Sequence, residues 1–186
     1  MLDMGFIPDV RSIIRRLPPR ERRQTLLFSA TLSGDIMRLA AQWMCDAVRV
    51  EVAAEKVTVD TVDQIVYTIG SHQKFNLLYN IIIRNPGSRI LVFGNRRDRT
   101  MHLADELARR GINCALLSGD VDQRKRLKIL DAFRDNSVQV LVATDVAGRG
   151  IHVDNITHVI NYEIPYEAED YVHRIGRTAR AGASGT

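Results

Sequence analysis

The sequence predicts an α/β protein, a parallel β-sheet covered by helices on both faces. Three observations carry this. Beyond residue 61, short apolar runs of strand type alternate with amphipathic helical stretches; the joints between them are short; and Pro86-Gly87 and Gly111 close helices where the pattern changes period. Strands joined through intervening helices run parallel, because each crossover returns the chain to the same end of the sheet.

The elements follow in order. Residues 10–17, VRSIIRRL, place Val10, Ile13, Ile14 and Leu17 at helical spacing with arginines on the other face, and Pro18-Pro19 stop that helix. TLLF at 25–28 is of strand type, SATLSGD leads into a helical stretch through Trp43, and VRVEV at 48–52 follows. AAEKVTVD, residues 53–60, reads as a linker. Then come a strand near 62–69, a helix near 72–84, strand 89–93, helix 97–110, strand 112–117, helix 122–134, strands 138–143 and 156–162, and a helix that carries HRIGR.

Size and composition fit one ordinary domain, or one domain plus a piece of another: 186 residues, 45% hydrophobic and 26% charged. The longest apolar runs are too short to cross a bilayer, and Asp3 and Asp9 interrupt the region where a signal peptide would need its apolar segment, so a cytoplasmic location is expected. Cys45 and Cys114 form no CxxC and no His/Cys cluster, which argues against structural zinc or a disulfide framework; both are expected to be small buried residues, and no metal site is expected. A net charge of +4 and a pI near 9.3 are compatible with a polyanionic partner. Six arginines lie between Arg11 and Arg23, and QRKRLK at 123–128 is a second basic patch; each also fits plain solvated surface.

In open α/β sheets, ligands gather at the carboxyl ends of strands. SAT (29–31), SGD (118–120), ATDVAGRGIHV (143–153) and HRIGRTARAG (173–182) all follow strands. ATDVAGRGIHV passes through Thr144 and Asp145 to Gly148 and Gly150 around Arg149. Small residues let a backbone approach a ligand, and exposed amides cradle phosphate oxygens; Asp145 is equally suited to capping a helix. HRIGRTARAG sets Arg174, Arg177 and Arg180 three residues apart. A guanidinium fork fits phosphate or carboxylate oxygens, and near a helix end it also neutralises terminal carbonyls.

In their order, SAT, VFGNRRD (92–98), SGDVDQRKR (118–126), ATDVAGRGIHV and HRIGRTARAG resemble the DEAD-box RNA helicases over essentially the whole chain, from just after the DEAD motif to just after the final arginine motif. MLDMGFIPDVR, LSGDV and ATDVAGRGIHV are most similar to the family's degradosome-associated bacterial members. The resemblance implies two RecA-like domains that close on ATP and RNA: residues 1–52 as the carboxyl-terminal remnant of the first, 53–60 as linker, and 61–186 as the second. It implies Arg177 and Arg180 as arginine fingers, His173 and Arg174 as residues that lock the domain interface, and Ser29, Ala30 and Thr31, with Asp145, Gly148, Arg149 and His152, as the coupling between ATP and closure. For RNA it implies Asn95, Arg96, Gly119, Gln123, Arg126 and Thr144, which suit sugar and phosphate contacts and so give low base specificity. Mg²⁺ would accompany ATP with most of its ligands on the first domain, and a degradosome scaffold is an implied partner.

One position departs from the family pattern. Where many members have RGxD, this chain has Arg149-Gly150-Ile151-His152; an imidazole can hydrogen-bond a ribose hydroxyl but supplies no carboxylate. The 186 residues also contain no GxxxxGK[ST] and no DEAD. This polypeptide alone is therefore expected not to hydrolyse ATP, and residues 1–52 are expected to expose apolar surface around Leu26 and Phe28. Two functions of different class follow: part of an ATP-dependent RNA-unwinding enzyme, or a non-catalytic module that binds RNA or a partner.

Overall fold

A computed structural model describes residues 6–29, 34–51, 62–148, 151, 153–179 and 185–186. The chain forms two compact units, Met1–Ala53 and Ala54–Thr186.

In the first unit, helix α1 (Ile7–Arg15) begins three residues earlier than the apolar spacing predicts, because Pro8 in its first turn has its φ already set for a helix. Helix α2 spans Gly34–Trp43. Arg23 ties the segment after α1 to the end of α2: its guanidinium donates to the Pro18 carbonyl at 2.7 Å, the Trp43 carbonyl at 3.0 Å and Thr25 Oγ1 at 3.1 Å. Arg20 reaches the Ala41 carbonyl at 3.2 Å, so two of the six clustered arginines are structural ties. TLLF, read as of strand type, forms no strand, because a strand needs a ladder partner and the described residues of this unit supply none; residues 48–51 form none either. Leu26, Phe28, Val48 and Val50 are exposed, as is Cys45, which was expected to be buried.

The second unit holds a four-stranded parallel sheet: β1 (Ile90–Gly94), β2 (Cys114–Leu117), β3 (Val140–Thr144) and β4 (His158–Asn161), in the spatial order β2-β3-β1-β4. Before β1 come a short 3₁₀ turn (Ser71–Gln73) and α3 (Lys74–Arg84); α4 (Arg97–Arg109) links β1 to β2, α5 (Gln123–Arg134) links β2 to β3, the short α6 (Asp145–Gly148) follows β3, and α7 (Ala168–Ile175) follows β4. Alternation along the central strands sorts the core into two layers. Ile90 and Val92 of β1, with Val140 and Val142 of β3, pack against Leu78 and Ile82 of α3 and Leu103, Ala104 and Leu107 of α4. Leu91, Phe93, Leu141 and Ala143 face the other way, onto Phe133 of α5 and Ala147 of α6. Both faces are covered, so the central strands read as unbroken apolar runs.

Two ends show how local chemistry fixes these lengths. Asp122 caps α5 by accepting the amides of Arg124 and Lys125 at 2.9 and 3.0 Å. Gly111, at φ +81°, ends α4 in a Schellman turn: its amide reaches the Ala108 carbonyl, the Ile112 amide reaches Leu107, and those two side chains meet in the core.

The strand expected near 62–69 is absent. The segment makes one parallel bridge, Val62 to Gly185, and Asp63 donates its amide to the Gly185 carbonyl at 2.9 Å. Residues 63–70 are exposed, so no continuous ladder and no burial hold them in sheet.

Candidate functional site

β1 and β3 are the central strands, so their carboxyl ends lie side by side, with β4 next to β1. Arg174 of α7 is buried beneath them at 1% exposure and uses all five of its N–H donors. Nε and Nη2 reach the two carboxylate oxygens of Asp145 at 2.5 and 2.6 Å; Nη2 also reaches Asn95 Oδ1 at 2.7 Å; Nη1 reaches Asn161 Oδ1 at 3.0 Å and the Glu163 carbonyl at 2.6 Å. Its guanidinium lies 5.1 Å from the centre of the Phe93 ring. One side chain thus fastens the residues that follow β1, β3 and β4. A planar fork with five fixed donors is suited to this, and an ammonium is not.

A second contact holds the turn after β1. Glu163 Oε2 accepts the Asn95 amide at 2.7 Å, its Oε1 pairs with Arg99 at 3.0 Å, and Asn95 Nδ2 donates to the Ile164 carbonyl at 2.8 Å. Burial pushes the Glu163 carboxyl up, and the Asn95 amide, Arg99 and the Arg96 amide together more than offset it, leaving the group below the ordinary glutamate range. Arg96, beside it, is exposed and paired with Asp98.

Between α6 and α7 lies a small hollow lined by Phe93, Asp145, Gly148, Asp170, His173, Arg174 and Arg177, with a volume of about 10 Å³. Arg177 is half-buried on its wall; Nε donates to the His173 carbonyl at 3.1 Å and Nη1 to the Ile151 carbonyl at 3.0 Å. Gly148 seats directly on Phe93: a Cβ there would come within 2.5 Å of the ring. Its smallness is a packing requirement of the same turn.

Gln123 opens α5 and is exposed, Gly119 lies in the open turn before it, and Arg126 reaches back to the Ala147 carbonyl at 2.8 Å. Thr144 is buried at the end of β3. The structure therefore brings Asn95, Arg96, Thr144, Asp145, Gly148, His173, Arg174 and Arg177 to one edge of the sheet, with Arg126 tied to that edge. Ser29 belongs to the other unit; Ala30, Thr31, Arg149, His152 and Arg180 lie outside the described residues. Sequence reasoning missed Asn161, Glu163 and Phe93. The polar pair in NYE, ending an apolar strand, was the available signal.

A doubly covered parallel sheet with basic and amide side chains at its carboxyl edge defines a class of protein. The chain belongs to the helicase conserved C-terminal domain family, whose family model matches residues 73–182. Over 185 residues it is 55% identical to the ATP-dependent RNA helicase RhlB of Pseudomonas putida, a match that covers 100% of this chain and 46% of the relative. Among solved structures, Saccharomyces cerevisiae Dbp5 bound to RNA and ADP BeF3 superposes with a TM-score of 0.84 at 29% identity, covering 100% of this chain and 49% of that one. The Escherichia coli DEAD-box protein SrmB, bound to regulator of ribonuclease activity A, gives 0.58 at 42% identity over 62% of this chain and 68% of that one. The RecA-like fold and the DEAD-box resemblance read from the motifs are borne out. The chain spans about half the length of the curated relatives it matches.

Among the described residues, no helix is long and apolar enough to cross a membrane, and no group of three or more His, Cys, Asp or Glu side chains is placed to hold a metal ion.

Proposed function

We propose that this chain supplies the second RecA-like domain, and part of the first, of a cytoplasmic ATP-dependent RNA helicase that separates short duplexes or remodels RNA–protein complexes. Residues 1–52 belong to the first domain, 53–60 link the two, and 61–186 form the second. The observation that carries this reading is the Arg174 network, which makes one rigid edge of the turns bearing Asn95, Asp145 and the segment that leads to Arg177.

Each residue then has a physical task. Arg177 and Arg180 stabilise charge on the phosphoryl group as it transfers to water, a contribution worth about 10³ to 10⁵ in rate for such fingers. Arg174 is a positioning residue, because its donors are all spent within the domain. His173 meets the first domain, and Ser29, Ala30 and Thr31, with Asp145, Gly148, Arg149 and His152, couple nucleotide state to closure. Asn95, Arg96, Gly119, Gln123, Arg126 and Thr144 hold RNA by sugar and phosphate, which positions the strand without reading it. Among the described residues no group of three or more His, Cys, Asp or Glu side chains is placed to hold a metal ion, and the Mg²⁺ carried with ATP would find most of its protein ligands on the first domain. A degradosome scaffold is the proposed protein partner.

The test is a chimera in which this chain replaces the matching region of the Pseudomonas putida relative. RNA-stimulated ATP hydrolysis and duplex separation are the expected results. A chimera that folds and binds RNA yet hydrolyses nothing would contradict the reading in favour of a binding module.

A further inference from the structure

The segment between β4 and α7 presents two large apolar side chains, Ile164 at 76% exposure and Tyr166 at 87%. A scattered apolar side chain on a surface needs no explanation. These two differ in how their backbone is held. Before them, the Glu163 carbonyl is fixed by Arg174 and the Glu163 carboxylate by the Asn95 amide; the Ile164 carbonyl is fixed by Asn95 Nδ2. Between them, Pro165 restricts the backbone; after them, Glu167 receives the Tyr171 amide and α7 begins at Ala168. The backbone is lashed at both ends while the two side chains stand in solvent. The tie on the inner side is Asn95 itself, and Arg96 follows it in the chain.

An exposed aromatic ring on a backbone tied at both ends, beside two side chains suited to phosphates, has the makings of a base-stacking platform. Every base has a π face, so such a platform adds affinity without adding sequence preference. Ordering a ring whose backbone is already fixed also costs little on binding.

We propose that Tyr166, flanked by Ile164, stacks on one base of the RNA strand whose backbone passes Asn95 and Arg96. This rests on the RNA-binding reading above, and it adds a base contact where that reading has only sugar and phosphate contacts. The same surface also suits an apolar protein segment, so the experiment separates the two.

The full chain is titrated at low salt with a single-stranded oligoadenylate and with an abasic oligoribonucleotide of the same length. Wild type is expected to prefer oligoadenylate. Tyr166→Ala should weaken oligoadenylate binding by about 5- to 150-fold, leave abasic binding unchanged, and leave the slope of affinity against salt unchanged, because no phosphate contact is lost. Tyr166→Phe should bind as wild type. Arg96→Ala should weaken both ligands alike and flatten the salt slope. If Tyr166→Ala binds oligoadenylate as wild type does, or loses both ligands equally, the stacking proposal is overturned while the Arg96 result leaves the RNA reading standing. If wild type binds neither ligand, both readings fall.

Discussion

Arg174 and Asp145, 29 residues apart in the chain, meet in a two-point ion pair with Nε to Oδ1 at 2.5 Å and Nη2 to Oδ2 at 2.6 Å. The guanidinium is 1% exposed, and Asn95, Asn161 and the Glu163 carbonyl take its remaining donors. Removing Arg174 takes the charge partner from Asp145, whose side chain is 26% exposed, and leaves the Asn95, Asn161 and Glu163 acceptors without this donor in the interior. Arg174→Ala is therefore expected to cost about 3–5 kcal/mol in urea unfolding of the chain. Arg174→Lys should recover only part of that, having three donors and no planar fork. A loss within about 1 kcal/mol for the alanine variant would show that the network is not what holds the three strand ends.

Gly148 and Phe93 test whether the hollow beside α7 is set by packing. Gly148→Ala places a methyl 2.5 Å from Phe93 Cε1, an overpacking expected to cost about 1–3 kcal/mol. Adding Phe93→Leu should recover part of the loss, so the double variant is less destabilised than the two singles summed. Strict additivity would mean that the two positions do not press on one another.

Glu163 gives a pH dependence. Its folded carboxyl lies below its ordinary value, because the Asn95 amide, Arg99 and the Arg96 amide together outweigh the opposing effect of burial. With an unfolded value of about 4.3, the ionised group contributes stability that is fully present above about pH 5 and is lost as pH falls through the folded value. Wild type should therefore melt higher than Glu163→Gln at neutral pH, and the gap should close on acidification below about pH 4. A gap that stays constant with pH would remove the carboxylate from this role.

Arg126, anchored on the Ala147 carbonyl, is proposed as a phosphate contact. Arg126→Ala should weaken RNA binding about equally for all base sequences and lower the salt slope by about one. An unchanged slope in an anisotropy titration would place Arg126 outside the RNA path.

Much of the second unit was legible beforehand because its signals are local. The runs ending in Phe93 and Ala143 are too short and too apolar for anything but buried strands, and Gly111 marks the end of α4 through its positive φ. Asp122, Gln123 and Arg126 could be placed at the start of a helix on spacing alone. The network itself was not legible. Asn95 and Arg174 are 79 residues apart, and only the parallel order β3-β1-β4 makes them neighbours. Arginines spaced for an anion proved divided in use: the first, Arg174, is spent inside the fold. Residues 25–28 and 62–69 failed as strands for a different reason. Their composition is right, but a strand is a property of a pair, and composition does not reveal whether a partner lies alongside.

The most direct test of the account is ATP turnover in the chimera with the Pseudomonas putida relative, with Arg177 and Arg180 both changed to alanine. The account predicts a fall of about 10³- to 10⁵-fold in RNA-stimulated hydrolysis while RNA binding persists. Hydrolysis at the level of the unaltered chimera would contradict it.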